Sequence, residues 1–348
     1  MSKEFRELLR KVGSGTHTSK SLTRSEAKAA AKMMLLQEAT PAQIGAFLIA
    51  HRIKRPTGEE LAGMLDAYDE LGQNIPQIPN FKQVTILSSP YDGRSRTAPL
   101  SIITGLILAS VGIPVLMHGG DRMPTKEGLP LISVWQGLGV DWSQLSLEKV
   151  SQILERENLG FYYLPKYFPL ANDLIPYREQ IGKRPPLATL ELIWSPYRGD
   201  YHLITGYVHP PTEKMIRDAF SLRGVKYFTT VKGLEGSCDL PSDRTAIIGC
   251  NNPETNEFQR LYLNPRNYDL SDRNIPLEDS NLLLENIIKI LQNEPSPWLK
   301  AAIWNGAFYL WHKEICSDLS AGIELVKNTL SQGKAWQKLK YLQNICSQ

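Results

Sequence analysis

Two polar loops, each carrying glycine and arginine, hold the residues of this chain best suited to chemistry. The first, Ser88-Ser89-Pro90-Tyr91-Asp92-Gly93-Arg94-Ser95-Arg96, follows the apolar run Val84 to Leu87. The second, His118-Gly119-Gly120-Asp121-Arg122, continues to Thr125-Lys126-Glu127-Gly128 and follows a second apolar run, Ile113 to Met117. Guanidinium groups pair with phosphate through parallel hydrogen bonds, and glycines let backbone N–H groups approach an anion. The expected chemistry is recognition of a phosphate-bearing ligand, with Ser89, Tyr91, Asp92, Gly93, Arg94, Arg96, His118, Gly119, Arg122 and Lys126 as contacts. His118 has two open roles, a general acid/base or a structural hydrogen-bonding group.

Further cations fall later in the chain. Lys183 and Arg184 precede Pro185-Pro186, with Arg178 upstream, and either face a cleft or cap a solvated helix end. Lys232 opens the glycine turn Lys232-Gly233-Leu234-Glu235-Gly236. Its carboxylate, Glu235, is the candidate metal ligand, with Asp92 or Asp121 as a candidate companion, and magnesium held against phosphates usually uses one or two carboxylates. His209, before Pro210-Pro211, reads as structural, whereas His17 in a glycine-bearing loop could touch an anion or cap a helix.

The elements that must position these loops follow from periodicity. Residues 1–80 read as helices. Thr23 with Glu26 and Thr57 with Glu60 have capping-box spacing, and Thr40-Pro41 opens another helix. From residue 81, apolar strand-like runs alternate with helical ones, the signature of a mostly parallel sheet. Strands are expected at 84–87, 113–117, 161–164, 187–193, 201–207, 225–231, 246–249 and 260–263. Helices are expected at 100–111 and 212–222, with a returning helical passage near 167–184 and three closing helices after 280. The predicted class is α/β, a small N-terminal helical domain (1–80) beside a larger α/β domain (81–348) with a mostly parallel central sheet. In such sheets, loops at the carboxyl edge bind ligands.

Composition sets the bounds. The 348 residues carry a formal charge of +3, too mild to announce a nucleic-acid binder by itself. Four dispersed cysteines without a CxxC pair argue against zinc and for reduced thiols. The charged N-terminus lacks an apolar signal core and no run approaches a membrane span, so the expected location is cytoplasmic, with no membrane partner.

Order and spacing of several motifs resemble the anthranilate phosphoribosyltransferase family across nearly the whole chain. The helical opening AQIGAFLIAHRIKRPTGEELAGMLDA looks like the family's dimerising helices, MHGGDR stands in place of KHGNR, and KRPPLATLELIWSP aligns with RTxFNxLGPLxNP. NGAFYLW and SQGKAWQKLKYL resemble its closing helices. The resemblance implies a homodimer, a phosphoribosyl diphosphate ligand with magnesium, and Arg184 at the anthranilate-contacting position.

Departures from the pattern concentrate at the ligand. SPYDGRSR replaces the glycine-rich GTGGD loop, Gly120-Asp121 replaces the asparagine of KHGN, and Glu235-Gly236 replaces an Asp-Glu pair. These features resemble a divergent branch thought to bind nucleic acid without anthranilate transfer. The first functional expectation is therefore a cleft binding phosphate-rich ligands, single-stranded nucleic acid in particular. There Arg94, Arg96, Arg122, Lys126, Lys183 and Arg184 would track phosphates while Tyr91 and Tyr167 stack on bases. The alternative is a magnesium-dependent phosphoribosyltransferase acting on anthranilate or a related aromatic acceptor; without enzymatic activity, no cofactor is expected.

Overall fold

The structure, a computed structural model, describes residues 3–15, 17–252, 254–255 and 257–346. Four helices come first: α1 (Lys3–Gly13), α2 (Arg24–Leu35), α3 (Pro41–Lys54) and α4 (Gly58–Leu71). Thr23, Thr40 and Thr57 each cap one of them with a complete capping box, closed by Glu26, Gln43 and Glu60. Two otherwise orphaned amides are satisfied at each start, so these boundaries fall where the sequence puts them. Gly63 lets α4 approach α2 closely, because a Cβ there would lie 2.1 Å from the Arg24 carbonyl oxygen.

β1 (Val84–Leu87), α5 (Ser101–Ser110) and β2 (Val115–Gly119) form the expected βαβ unit. α6 (Leu131–Gly137), α7 (Leu147–Glu157) and β3 (Leu159–Tyr163) continue the layer, and the short helices α8 (Leu164–Tyr167), α9 (Pro169–Asn172) and α10 (Ile175–Ile181) run back to the helical bundle. There the Tyr177 hydroxyl donates to Gln37 Oε1 at 2.6 Å.

The expected strand at 187–193 is instead a helix, α11 (Leu187–Ile193). Leu187, Ala188, Leu190, Glu191, Leu192 and Ile193 are all buried, so no period separates strand from helix. Pro185-Pro186 starts it, proline being well tolerated where helix N–H groups lack partners.

β4 (Tyr201–Gly206), α12 (Pro210–Arg223), β5 (Phe228–Val231), β6 (Ala246–Asn251) and β7 (Phe258–Leu263) complete one seven-stranded sheet of order β3-β2-β1-β4-β5-β6-β7. β1 pairs parallel with β2 (Ile86 opposite Leu116) and with β4 (Leu87 opposite Ile204), while β6 and β7 are antiparallel. α13 (Ser280–Leu291), α14 (Leu299–His312), α15 (Leu319–Ser331) and α16 (Lys334–Cys346) close the chain. The last expected helix is thus two, broken at Gly333, whose φ of +67° favours glycine. Among the described residues no helix is long and apolar enough to cross a membrane.

Strand order reverses between β1 and β4, so the loops after β1, β2 and β5 gather at one carboxyl edge. This is where a ligand crevice forms in open α/β sheets.

Candidate functional site

The loops after β1 and β2 are zipped together by their backbones. Arg94 N donates to the Leu129 oxygen at 3.0 Å, Leu129 N returns a bond to the Arg94 oxygen at 2.7 Å, and Gly128 N reaches the Asp92 oxygen at 3.0 Å. Gly93 permits this contact: its φ is +72°, and a Cβ there would lie 2.5 Å from the carbonyl carbon of Gly128. Lys126 adds a hydrogen bond from Nζ to the Gly93 oxygen at 2.6 Å.

Into this loop pair the turn after β5 inserts Glu235. Its Oε1 accepts the amides of Arg96 at 3.0 Å and Thr97 at 2.9 Å, and the Thr97 hydroxyl at 2.9 Å. Its Oε2 accepts the amide and hydroxyl of Ser95, both at 3.2 Å, and lies 3.0 Å from Lys126 Nζ. Burial alone would raise the pKa of this carboxyl, but Lys126 and the amides of Arg96 and Thr97 outweigh it and hold the group below the ordinary carboxylate range. Three successive amides, two hydroxyls, an ammonium and, at 3.4 Å, the Nε of Arg94 therefore converge on one anion, which is the chemistry of a phosphate nest.

Arg94 lies beneath the nest, its side chain 3 % exposed. Nη1 donates to Asp239 Oδ2 and to Ser237 Oγ, both at 2.6 Å, and Nη2 donates to the Thr97 hydroxyl. Arg184 pairs with the buried Asp92, and the buried Arg178 pairs with Glu191 while lying 4.0 Å from Asp92. The expected track of six cations is broken by these carboxylates. Arg94 and Lys126 are turned inward, Arg184 is ion-paired, and Arg96, Arg122 and Lys183 stand exposed. Lys232 is half-buried at the start of the Glu235 turn.

Tyr91 and Tyr167, expected to stack on bases, are both 2 % exposed and cannot. The Tyr91 hydroxyl lies 2.6 Å from His118 Nδ1, and the Tyr167 hydroxyl donates to the Leu145 oxygen at 2.7 Å. Of the two roles open to His118, the structure supports the structural one. Burial pushes its pKa down to about 3, its Nε2 lies 3.4 Å from Ser88 Oγ, and its ring abuts Trp194. Ser89, Tyr91, His118 and Gly119 border a space of only ≈ 10 Å³, about that of one water. His17 and His209 are exposed, the latter immediately before α12.

Magnesium, which the fold family implies, does not fit the residues in this arrangement. Both oxygens of Glu235 are engaged by N–H and O–H donors, and Gly236 supplies no second carboxylate. Asp92 and Asp239 are paired with arginines, and no three metal-ligating side chains cluster among the described residues.

Sequence reading missed Asp239, Ser237, Thr97 and Glu191, the partners that bury the cations. Asp239 could have been flagged, because it stands four residues after Glu235 in the same turn.

Known proteins match both layers. A model of a glycosyl transferase family, helical bundle domain, covers residues 6–72, and one of the family's a/b domain covers residues 92–336. An anthranilate phosphoribosyltransferase of Caldicellulosiruptor saccharolyticus is 26% identical over 305 residues, 86% of this chain and 88% of its own. That of Symbiobacterium thermophilum is also 26% identical, over 97% of this chain and 96% of its own. Among solved structures, the Thermus thermophilus anthranilate phosphoribosyltransferase superposes with a TM-score of 0.77 at 17% identity, covering 100% of both chains. The Saccharomyces cerevisiae enzyme in complex with PRPP and Mg reaches 0.82 at 14% identity, covering 99% of this chain and 98% of its own. Matched through helical bundle and α/β domain alike, the chain belongs to the anthranilate phosphoribosyltransferase-type glycosyl transferase family.

Proposed function

We propose that the chain binds a phosphorylated sugar of the phosphoribosyl diphosphate class at the carboxyl edge of its sheet, as a phosphoribosyltransferase of its family. The observation that carries this reading is the nest of three successive amides (Ser95, Arg96, Thr97) with Lys126, built for one compact anion. The names of the relatives support it: full-length anthranilate phosphoribosyltransferases align over most of the chain. Arg184, at the position the resemblance gives to the acceptor site, is half-exposed and would orient an aromatic carboxylate once released from Asp92. Glu235, Asp92 and Asp239 are already engaged within the chain and offer no free carboxylate to a metal.

Calorimetric titration with phosphoribosyl diphosphate, with and without magnesium, tests binding. Loss of anthranilate fluorescence tests transfer. The expected result is saturable binding with a Kd on the order of micromolar to millimolar, the range in which enzymes commonly hold substrates. Absence of any heat change at millimolar ligand in both arms would rule the reading out.

A single-stranded nucleic acid is the second reading, favoured by the exposure of Arg96, Arg122 and Lys183. Three exposed cations predict a modest salt dependence, a slope of log K against log salt near about −2. An oligonucleotide that binds with this slope, and that phosphoribosyl diphosphate does not displace, would favour it over the first. A homodimer through the N-terminal helices belongs to the same proposal; light scattering on the purified chain checks it.

A further inference from the structure

The nest is already full, and its occupant is part of the chain. Glu235 sits in the left-handed region at φ 54° and ψ 24°, on a single 3₁₀ turn, Leu234–Gly236. Few non-glycine residues adopt that conformation, and where one does the surroundings must hold it there. Besides the backbone bonds of the turn, a set of anion contacts holds it: three amides, two hydroxyls, Lys126 and Arg94 Nε leave the carboxylate 3 % exposed. A carboxylate and a phosphate oxygen accept the same N–H donors, so one can stand in for the other.

We infer that Glu235 is an intramolecular occupant of the phosphate nest, and that an external phosphate group must displace it to bind. The inference rests on the phosphate-ligand reading above and adds a regulation to it: the apparent affinity of the site is set by how readily Glu235 leaves. A site whose competent form is only partly populated binds more weakly by that fraction. Glycines frame the turn that carries Glu235. Gly233 and Gly236 flank the residue pair Leu234-Glu235, and Gly236 has a φ of +81°. Arg94 Nε also lies 3.4 Å from Glu235 Oε1, and when Glu235 leaves, Asp239 and Ser237 still hold that guanidinium at 2.6 Å each.

Removing the occupant should therefore strengthen binding of an anion that makes no use of the rest of the cleft. The probe is inorganic diphosphate, titrated into the full chain and into two variants. Glu235→Gly removes the carboxylate and relieves the left-handed backbone; Glu235→Gln removes only the charge and guards against a failure to fold. The expected gain is at least tenfold in affinity for Glu235→Gly and about threefold for Glu235→Gln. In ligand-free Glu235→Gly the amides of Ser95, Arg96 and Thr97 should exchange at least tenfold faster than in the unsubstituted chain, and diphosphate should restore their protection. Unchanged affinity in both variants, or amides that exchange no faster, overturns the inference. Phosphoribosyl diphosphate separates this outcome from failure of the function proposed above. If the unsubstituted chain binds it and neither variant gains, the function stands and the occupant role falls. If the variants gain for inorganic diphosphate but none of the three proteins binds the sugar diphosphate, the nest stands and the sugar reading falls.

Discussion

Acidification from pH 6.5 towards 4 should strip this chain of stability at up to about 4 kcal/mol per pH unit, because three imidazoles are buried in neutral form. Burial lowers the pKa of His118 to about 3. Burial and the neighbouring Lys313 lower that of His312 to about 4. His202 is pushed well below its ordinary value by burial, then by Lys313 and His312. In the unfolded chain all three titrate near about 6.5. Each folded value is depressed, so below that pH the unfolded state binds more protons than the folded one. Their contribution is fully present above pH 6.5 and is lost as the pH falls towards the folded values, each histidine adding at most about 1.4 kcal/mol per unit. Two of them share one hydroxyl: Thr229 Oγ1 lies 2.8 Å from His202 Nε2 and 2.6 Å from His312 Nε2. Urea midpoints at pH 7, 6 and 5 measure the slope, and in His312→Gln it should shrink by about a third. Stability that stays flat down to pH 5 would show that these imidazoles are not held neutral.

His202 and His312 also mark the limit of what could be read from the sequence. They are far apart in the chain, and only the docking of α14 against the sheet brings their rings to a centroid distance of 5.3 Å. Helix starts were legible because a capping box is local: Thr23 with Glu26 and Thr57 with Glu60 carry their own geometry. The alternation of β1, α5 and β2 was legible for the same reason, each element announcing its period. The helix at Leu187–Ile193 was not, since burial all round erases the period that separates helix from strand.

At the site, the sequence announced charge but not its neutralisation. Arg94, Lys126 and Arg184 were visible as cations, and so were Glu235 and Asp92, the partners of Lys126 and Arg184, as carboxylates, whereas Asp239, the partner of Arg94, was not. Which pairs form depends on β1 and β5 ending at the same edge with β4 between them, a fact of strand order rather than of spacing. The same dependence hid the inward turn of Tyr91. An aromatic in a glycine-bearing loop looks exposed until the loop after β2 closes over it, with His118 as its partner. Departure from the family's glycine-rich pattern therefore had a meaning the sequence did not carry: the altered residues fill the site with contacts from within the chain.

Replacing Arg94 with methionine should lower stability by about 3–5 kcal/mol, the usual result of breaking a buried ion pair on one side only. Arg94 and Asp239 are 3 % and 2 % exposed, and their Nη1–Oδ2 distance is 2.6 Å. Methionine fills much of the volume but leaves Asp239 with the Leu100 amide at 3.1 Å as its remaining charge-stabilising contact of note. Lysine should rescue little, because a single ammonium cannot reach Asp239, Ser237 and Thr97 together as the guanidinium fork does. Arg96, with a side chain 79 % exposed, gives the contrast: Arg96→Ala should change stability by less than about 0.5 kcal/mol. Chemical denaturation of the variants measures both. The double substitution Arg94→Met, Asp239→Leu decides the cause, since removing both charges should recover stability relative to Arg94→Met alone. No recovery would place the loss outside the Arg94–Asp239 pair, in the Nε contact with Glu235 at 3.4 Å or in the loop that carries Arg94. The consequence for function is direct: loss of ligand binding in an Arg94 variant reports a collapsed loop, whereas loss in the Arg96 variant, folded and stable, reports a contact with the ligand itself.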